Sequence, residues 1–290
     1  MEIATKTSAM MRQFMQTKEQ YKDCILFYRC GDFYEMFNED AIVASRELDL
    51  TLTGKDCGLE ERAPMCGIPH HAYESYAQRL IEKGYKVAIC EQTDKFVDKV
   101  MQREVVRIIT PGTVVDSSML NDSCNTYFMS IYKLKNAVSY AYGDLSTGEI
   151  YVGEYNGENA VNYINDQIVK VNPSEIICNS EVKELEQNIP CLSTIGNFKL
   201  NEYYDWAFSY SNAEKLLIKQ YSLASLSGYD FTTKNKIIAV GAMLQYFNET
   251  QKRELKHLFE LINEPEMKVL HWRTSSQIQS QRSVCLRSSR

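Results

Sequence analysis

The sequence predicts a mixed α/β protein of two domains, on three observations. Short apolar runs rich in aromatic and β-branched residues alternate with segments whose apolar residues recur at helical spacing, so strands and helices are interleaved along the chain. The 290 residues suffice for two cores of ordinary size. A polar stretch from Asp116 to Asn125 separates the two patterned regions.

The first region opens with a Met-rich stretch over 5–20, in which Met10, Met11, Phe14 and Met15 lead at helical spacing to Tyr21. Cys24 to Tyr28 reads as a buried strand and Gly31-Asp32 as a turn. A helix is expected from about Tyr34 to Leu48, because Met36, Phe37, Ala41, Ala44 and Leu48 fall three to five residues apart or side by side. Leu50 to Thr53 reads as a second strand, Tyr73 to Lys83 as a helix stopped by Gly84, and Tyr85 to Cys90 as the next strand. Arg103 to Thr110 alternates and ends at Pro111-Gly112. In the second region Thr126 to Tyr132, Ala137 to Asp144 and Glu149 to Tyr155 form a three-strand meander, with turns at Lys135-Asn136 and Ser146-Thr147-Gly148. Helix-like residues from Glu158 to Val171, Pro173, and a strand from Glu175 to Cys178 follow. Asn212 to Gln220 and Lys234 to Thr250 are helical by pattern.

Hydrophobic residues make up 44% and charged residues 24% of the chain, as in soluble globular proteins. No apolar run approaches the ~18 residues that cross a bilayer, and the N-terminus has no signal-peptide pattern, so a cytoplasmic location is expected. The nine cysteines are scattered, odd in number and without a Cys-x-x-Cys pair, which reads as reduced core thiols rather than a disulfide framework. Net charge is −6, and residues 1–120 carry 15 Lys and Arg against 19 Asp and Glu. Affinity for phosphate chains comes mainly from cations and counterion release, so a nucleic acid would be held weakly by charge alone.

One stretch carries chemistry: Phe27-Tyr28-Arg29-Cys30-Gly31-Asp32-Phe33-Tyr34-Glu35-Met36-Phe37. It sets a glycine, a large ring and a carboxylate together at a corner between a strand pattern and a helix pattern. An apolar ring held at such a corner is able to wedge between stacked bases from the minor groove and kink the duplex. A carboxylate two residues from the wedge is unfavourable beside phosphates unless it has a specific hydrogen bond to make. The competing reading is that these aromatics begin a core helix, since phenylalanine is commonly buried.

The run Leu26 to Phe37 closely resembles the mismatch-recognition domain of the bacterial MutS family of DNA mismatch repair proteins. Leu48-Asp49-Leu50-Thr51-Leu52-Thr53, Ala63-Pro64-Met65-Cys66-Gly67-Ile68-Pro69-His70-His71-Ala72, Val87-Ala88-Ile89-Cys90-Glu91-Gln92 and Val105-Val106-Arg107-Ile108-Ile109-Thr110-Pro111-Gly112-Thr113 agree with it in order and spacing. Asp144-Leu145-Ser146-Thr147-Gly148-Glu149 resembles the family's connector. The resemblance implies a small mixed α/β mismatch-recognition domain over 1–115, a linker over 116–125, a ribonuclease-H-like connector over 126–250, and from 251 the start of a lever helix. From about Leu270 it fails, and the Ser-, Arg- and Gln-rich end to residue 290 is expected to be an aberrant, disordered tail from a shifted frame or a truncated gene.

The resemblance also implies roles. Phe33 is the wedge. Glu35 faces a base edge at the lesion, where phosphates and burial favour its neutral form and let it donate to a ring nitrogen, whereas over intact duplex it finds no partner and repels. Lys55 attracts phosphate, and Pro64 and Met65 present an apolar surface to the sugars. The expected ligand is double-stranded DNA with a mismatch or small loop. A MutL-like repair protein is the expected partner of the connector. The full-length family forms homodimers and uses ATP and magnesium. For this chain alone a monomer without cofactor or catalysis is expected, since Gly54-Lys55 is followed by Asp56 and no Gly-x-x-x-x-Gly-Lys-Ser/Thr loop is present. Two alternatives stay open: a metal-dependent nuclease using Asp144, Glu149, Glu154 and Glu175, and a connector module that binds only repair partners.

Overall fold

The computed structural model describes residues 7–58, 61–97, 100–114, 126–194, 199–226, 233–252 and 260–264. The expected tail from about Leu270 lies outside them. The first unit comprises α1 (Ala9–Gln20), β1 (Cys24–Cys30), β2 (Phe33–Phe37), α2 (Asn38–Leu48), β3 (Thr53–Lys55), β4 (Ala63–Pro69), α3 (Tyr73–Glu82), β5 (Lys86–Val97) and β6 (Val100–Ile109). Its six strands form one sheet in the order β3-β4-β2-β1-β5-β6, parallel only between β1 and β5. Met11 and Phe14 of α1 pack on one face with Leu26, Tyr28 and Phe37, while α2 and α3 cover the other with Phe27, Tyr34, Met36 and Ile68.

The helix expected from Tyr34 is corrected by this arrangement. Phe33–Phe37 is a strand, and α2 starts only at Asn38. Only the end of this strand is covered on both faces, and its buried Met36-Phe37 merges with the helical spacing that follows. Asn38 makes the corner with a positive φ of 52°, a conformation asparagine tolerates better than most residues. The second strand is also displaced, from Leu50–Thr53 to Thr53–Lys55, and the sequence reading gave Ala63–Pro69 no secondary structure at all.

The second unit comprises β7 (Phe128–Leu134), β8 (Ala137–Asp144), β9 (Glu149–Asn156), α4 (Ala160–Val171), β10 (Glu175–Cys178), the short α5 (Ser180–Lys183) and α6 (Pro190–Thr194), β11 (Leu200–Glu202), α7 (Tyr210–Tyr221), α8 (Lys234–Gln251) and β12 (Glu260–Asn263). Its sheet runs β11-β10-β7-β8-β9-β12. The antiparallel meander β7-β8-β9 is flanked on both sides by parallel strands, giving the mixed sheet crossed by helices that a ribonuclease-H-like connector requires. Helix α4 covers one face through Tyr163, Ile164 and Ile168, and α7 with α8 covers the other. Residues 260–264 do not begin a lever helix. Helix α8 stops at Gln251 with Lys252 left-handed (φ 53°), and Glu260–Asn263 pairs in parallel with Glu149–Val152 of β9. No helix among the described residues is long and apolar enough to cross a membrane.

The two units touch through a buried polar contact. Glu175, only 4% exposed at the start of β10, accepts hydrogen bonds from Thr110 Oγ1 (2.5 Å), Gly112 N (3.3 Å) and the Tyr246 hydroxyl (2.6 Å). Lys86 Nζ stands 3.6 Å from the same carboxylate and 3.2 Å from Tyr246. Gln251 Nε2 donates to the carbonyl of Thr113 (3.3 Å).

Candidate nucleic-acid interface

The residues singled out in the sequence meet at one end of the first sheet. Cys30 pairs with Phe33 across a two-residue hairpin turn, Gly31-Asp32. Gly31 has φ 61° and Asp32 is not among the positive-φ residues, the pattern of a II′ turn with glycine first. A Cβ on Gly31 would meet nothing within 4 Å, so the backbone angle, not crowding, calls for glycine there. The carbonyl of Asp32 accepts from His70 N at 2.9 Å, which fastens the turn to the end of β4, where Pro69 pairs with Phe33. Neither reading of the sequence gave His70 this role; it stands inside a matched block, but nothing in its spacing marks it.

Phe33, the first residue of β2, is 50% exposed in a strand otherwise buried or half-buried. Side chains alternate along a strand, so Phe33, Glu35 and Phe37 share one face while Tyr34 and Met36 point into the core beneath α2 and α3. Phe37 is closed over by α1, with its ring edge-on to Phe14 at 4.9 Å. Glu35 lies between the exposed ring and the buried one, and its side chain is 15% exposed.

Strands β4 and β3 complete the face. Glu35 pairs with Gly67, and Phe37 with Met65, which in turn pairs with Thr53. Met65 is half-buried against the α1 side of the core. Lys55 projects on the same face, and its Nζ donates to Glu35 Oε2 while lying 5.6 Å from the centroid of the Phe37 ring. Pro64 is paired with Gly54, one residue out of step with Met65, so alternation turns its ring to the opposite face. The structure thus brings Phe33, Glu35, Lys55 and Met65 together and sets Pro64 apart. In the free protein the Lys55 and Glu35 side chains hold each other.

The strand carrying the ring is braced from both sides. Behind it, the Tyr34 hydroxyl donates to Glu91, and the Arg29 guanidinium lies 5.6 Å from the Tyr34 ring. On the α1 side, Arg103 Nε donates to the carbonyl of Arg29 (2.6 Å), and its guanidinium lies 4.9 Å from the Tyr28 ring. Burial first, then the neighbouring Glu35 charge, pushes the Cys30 thiol up from the usual 9.0 to about 12, so it stays neutral at this edge.

In the second unit the four acids considered for metal chemistry stand in separate hydrogen-bond sets. Asp144 accepts from Thr126 N (2.8 Å) and from Ser146 N (2.8 Å) and Oγ (2.6 Å), which closes the β8–β9 turn. Glu149 accepts from Tyr151 (2.9 Å), Glu154 from Thr233 and Asn235, and Glu175 lies in the contact between units. Among the described residues no three His, Cys, Asp or Glu groups are placed to hold a metal ion.

A braced hairpin that offers one ring and one carboxylate on the same face, followed by a second unit built on its own mixed sheet, defines a two-unit α/β protein. The chain belongs to the MutS family: the family model for MutS domain I matches residues 8–118, and that for MutS domain II matches residues 126–259. It is 46% identical over 252 residues to the DNA mismatch repair protein MutS of Lachnoclostridium phytofermentans, covering 86% of this chain and 27% of that protein. To the proteins of the same name from Acetivibrio thermocellus and Clostridium botulinum it is 47% identical over 258 residues and 46% identical over 266 residues. Those matches cover 86% and 88% of this chain and 29% and 27% of the relatives, so the chain spans under a third of their length.

Proposed function

We propose that the first unit reads double-stranded DNA for mispaired bases and small loops from the minor groove, with Phe33 as the wedge and Glu35 as the group that bonds the exposed base. The observation that supports this most is the half-exposed Phe33 ring at the end of a hairpin braced by His70 and Arg103. Stacking an aromatic ring on a base yields ~1–3 kcal/mol, while unstacking a base step costs a few kcal/mol. Insertion therefore wins only where the step is already weakened, and intact duplex resists the same kink. Glu35 sharpens the choice, since it gains a hydrogen bond at a lesion and gains nothing over a normal pair. Met65 and Lys55 border the wedge, and Pro64 acts less directly, by stiffening the strand edge that carries them.

The test is titration of this chain, at low salt, with labelled duplexes that differ by one mismatch or one unpaired base. Phe33→Ala should abolish the preference for the damaged duplex, while circular dichroism shows an unchanged fold. Retention of the full preference by Phe33→Ala would sink the reading. The second unit is proposed to dock a MutL-like repair protein, and homodimerisation with ATP- and magnesium-dependent clamp motion is proposed for the whole MutS assembly and not for this chain's own chemistry.

A further inference from the structure

We infer that Lys55 is a specificity-determining residue: it is the built-in counter-ion of Glu35, and recognition is an exchange of partners in which Glu35 leaves Lys55 for a base and Lys55 is freed for a phosphate. The inference rests on the mismatch-reading function proposed above and specifies how the discrimination is set. Its basis is the geometry of the pair. Lys55 Nζ donates to Glu35 Oε2, the two side chains being 31% and 15% exposed, and the ammonium is further held over the Phe37 ring at 5.6 Å. The Cys30 thiol beside the carboxylate stays neutral, and Lys55 supplies the positive charge that bonds Glu35 directly.

The consequence follows from charge balance. When the domain approaches intact duplex, the pair remains closed and presents little net charge, so Glu35 repels the phosphates less than a bare carboxylate would. At a lesion the base offers Glu35 a hydrogen bond, the pair opens, and the ammonium is released to pair with a phosphate. Lys55 thus lowers the penalty on normal DNA and withholds its phosphate contact until a base has taken its place. A lysine that merely attracted phosphate would strengthen both duplexes alike.

The test is a double-mutant cycle on the complete chain. With Glu35 present, Lys55→Met should weaken binding of perfect duplex, where the bare carboxylate now repels phosphate, more than of mismatched duplex, where the lost phosphate contact is offset because no ion pair has to open; the preference for the mismatch should rise by roughly fivefold, the upper range for a partly exposed ion pair. With Glu35→Gln in place, Lys55→Met should weaken both duplexes by one common factor and leave the preference unchanged. Lys55→Arg, which keeps the charge and the hydrogen bond, should restore the starting preference and show that loss of packing is not the cause. If Lys55→Met lowers both affinities equally in the presence of Glu35, the exchange is wrong and Lys55 is a plain phosphate contact. Phe33→Ala in the same assay separates the two claims. Should it leave the mismatch preference intact, or should no variant or parent bind either duplex, the DNA-reading function itself fails, whatever Lys55 does.

Discussion

Phe33 keeps half of its surface in water on a strand whose other aromatic residues, Tyr34 and Phe37, are buried. Fully burying such a side chain stabilises by about 1.5–3 kcal/mol, so roughly half of that gain remains open to a surface brought up from outside. Removing the ring by Phe33→Ala is accordingly expected to cost the fold about 1 kcal/mol, measured by urea unfolding. A loss of several kcal/mol would mean that the ring is structural. The cysteines make the opposite case, because six of the seven in the described residues are buried and none is paired. Burial foremost pushes Cys24, Cys90 and Cys178 up from the usual 9.0 to about 12, so in the native chain they remain thiols where the unfolded chain's thiols ionise. Stability from these groups is therefore whole below pH 9.0 and falls as the pH rises toward 12, since the unfolded state releases protons that the folded state retains. Alkylation by iodoacetamide at pH 8 should be slow at all three sites until denaturant is added. Rapid native labelling at Cys90 would contradict the packing of β1 against β5.

At the level of elements, two glycines test the architecture. The Gly31 turn fixes where β2 begins, and an L-residue at φ 61° is strained by roughly 1–2 kcal/mol even with open space around it. Gly31→Val should lower stability by about that amount and loosen the hairpin that aims Phe33, visible as amide exchange at Phe33 and Tyr34. Gly241 is required for a different reason. A Cβ there would lie 2.2 Å from Ala213 Cβ, so α7 and α8 pack with their backbones in close approach. Gly241→Ala should force the helices apart at a cost of about 1–3 kcal/mol, read as a lower melting temperature. An unchanged melting temperature would show the helices to be set further apart. Helix α8 itself was legible as a helix but its environment was not: it is apolar on every side because the sheet, α7 and the β6 edge of the first unit surround it. The boundary at Phe33–Phe37 was illegible for a different reason, since the consecutive buried residues Met36 and Phe37 run straight into the helical spacing of α2.

On the scale of the whole molecule, the Glu175 contact joins the two units. Its carboxylate gathers donors from the exit of β6, the start of β5 and helix α8, and burial with the adjacent Glu175 charge pushes the Tyr246 hydroxyl well above its ordinary range, so it remains a donor. Glu175→Ala would remove the acceptor shared by Thr110, Gly112 and Tyr246, and each buried donor left without another partner costs about 1–3 kcal/mol. We expect calorimetry to show one cooperative transition for the parent chain and two separated transitions for the variant, and a single unshifted transition would show that the units are coupled elsewhere. Taken by itself, the sequence determined the α/β class, most strands and helices, the family resemblance, and the ring and carboxylate at 33 and 35 as candidates, because these depend on residue types at short spacing. Only the tertiary structure decided that Phe33 and Glu35 share a face, that Pro64 turns away from it, that Lys55 already holds Glu35, and that Glu175 serves the contact between units instead of a metal. Those facts depend on strand register and on groups brought together from 20 to 71 residues apart, which local pattern cannot encode.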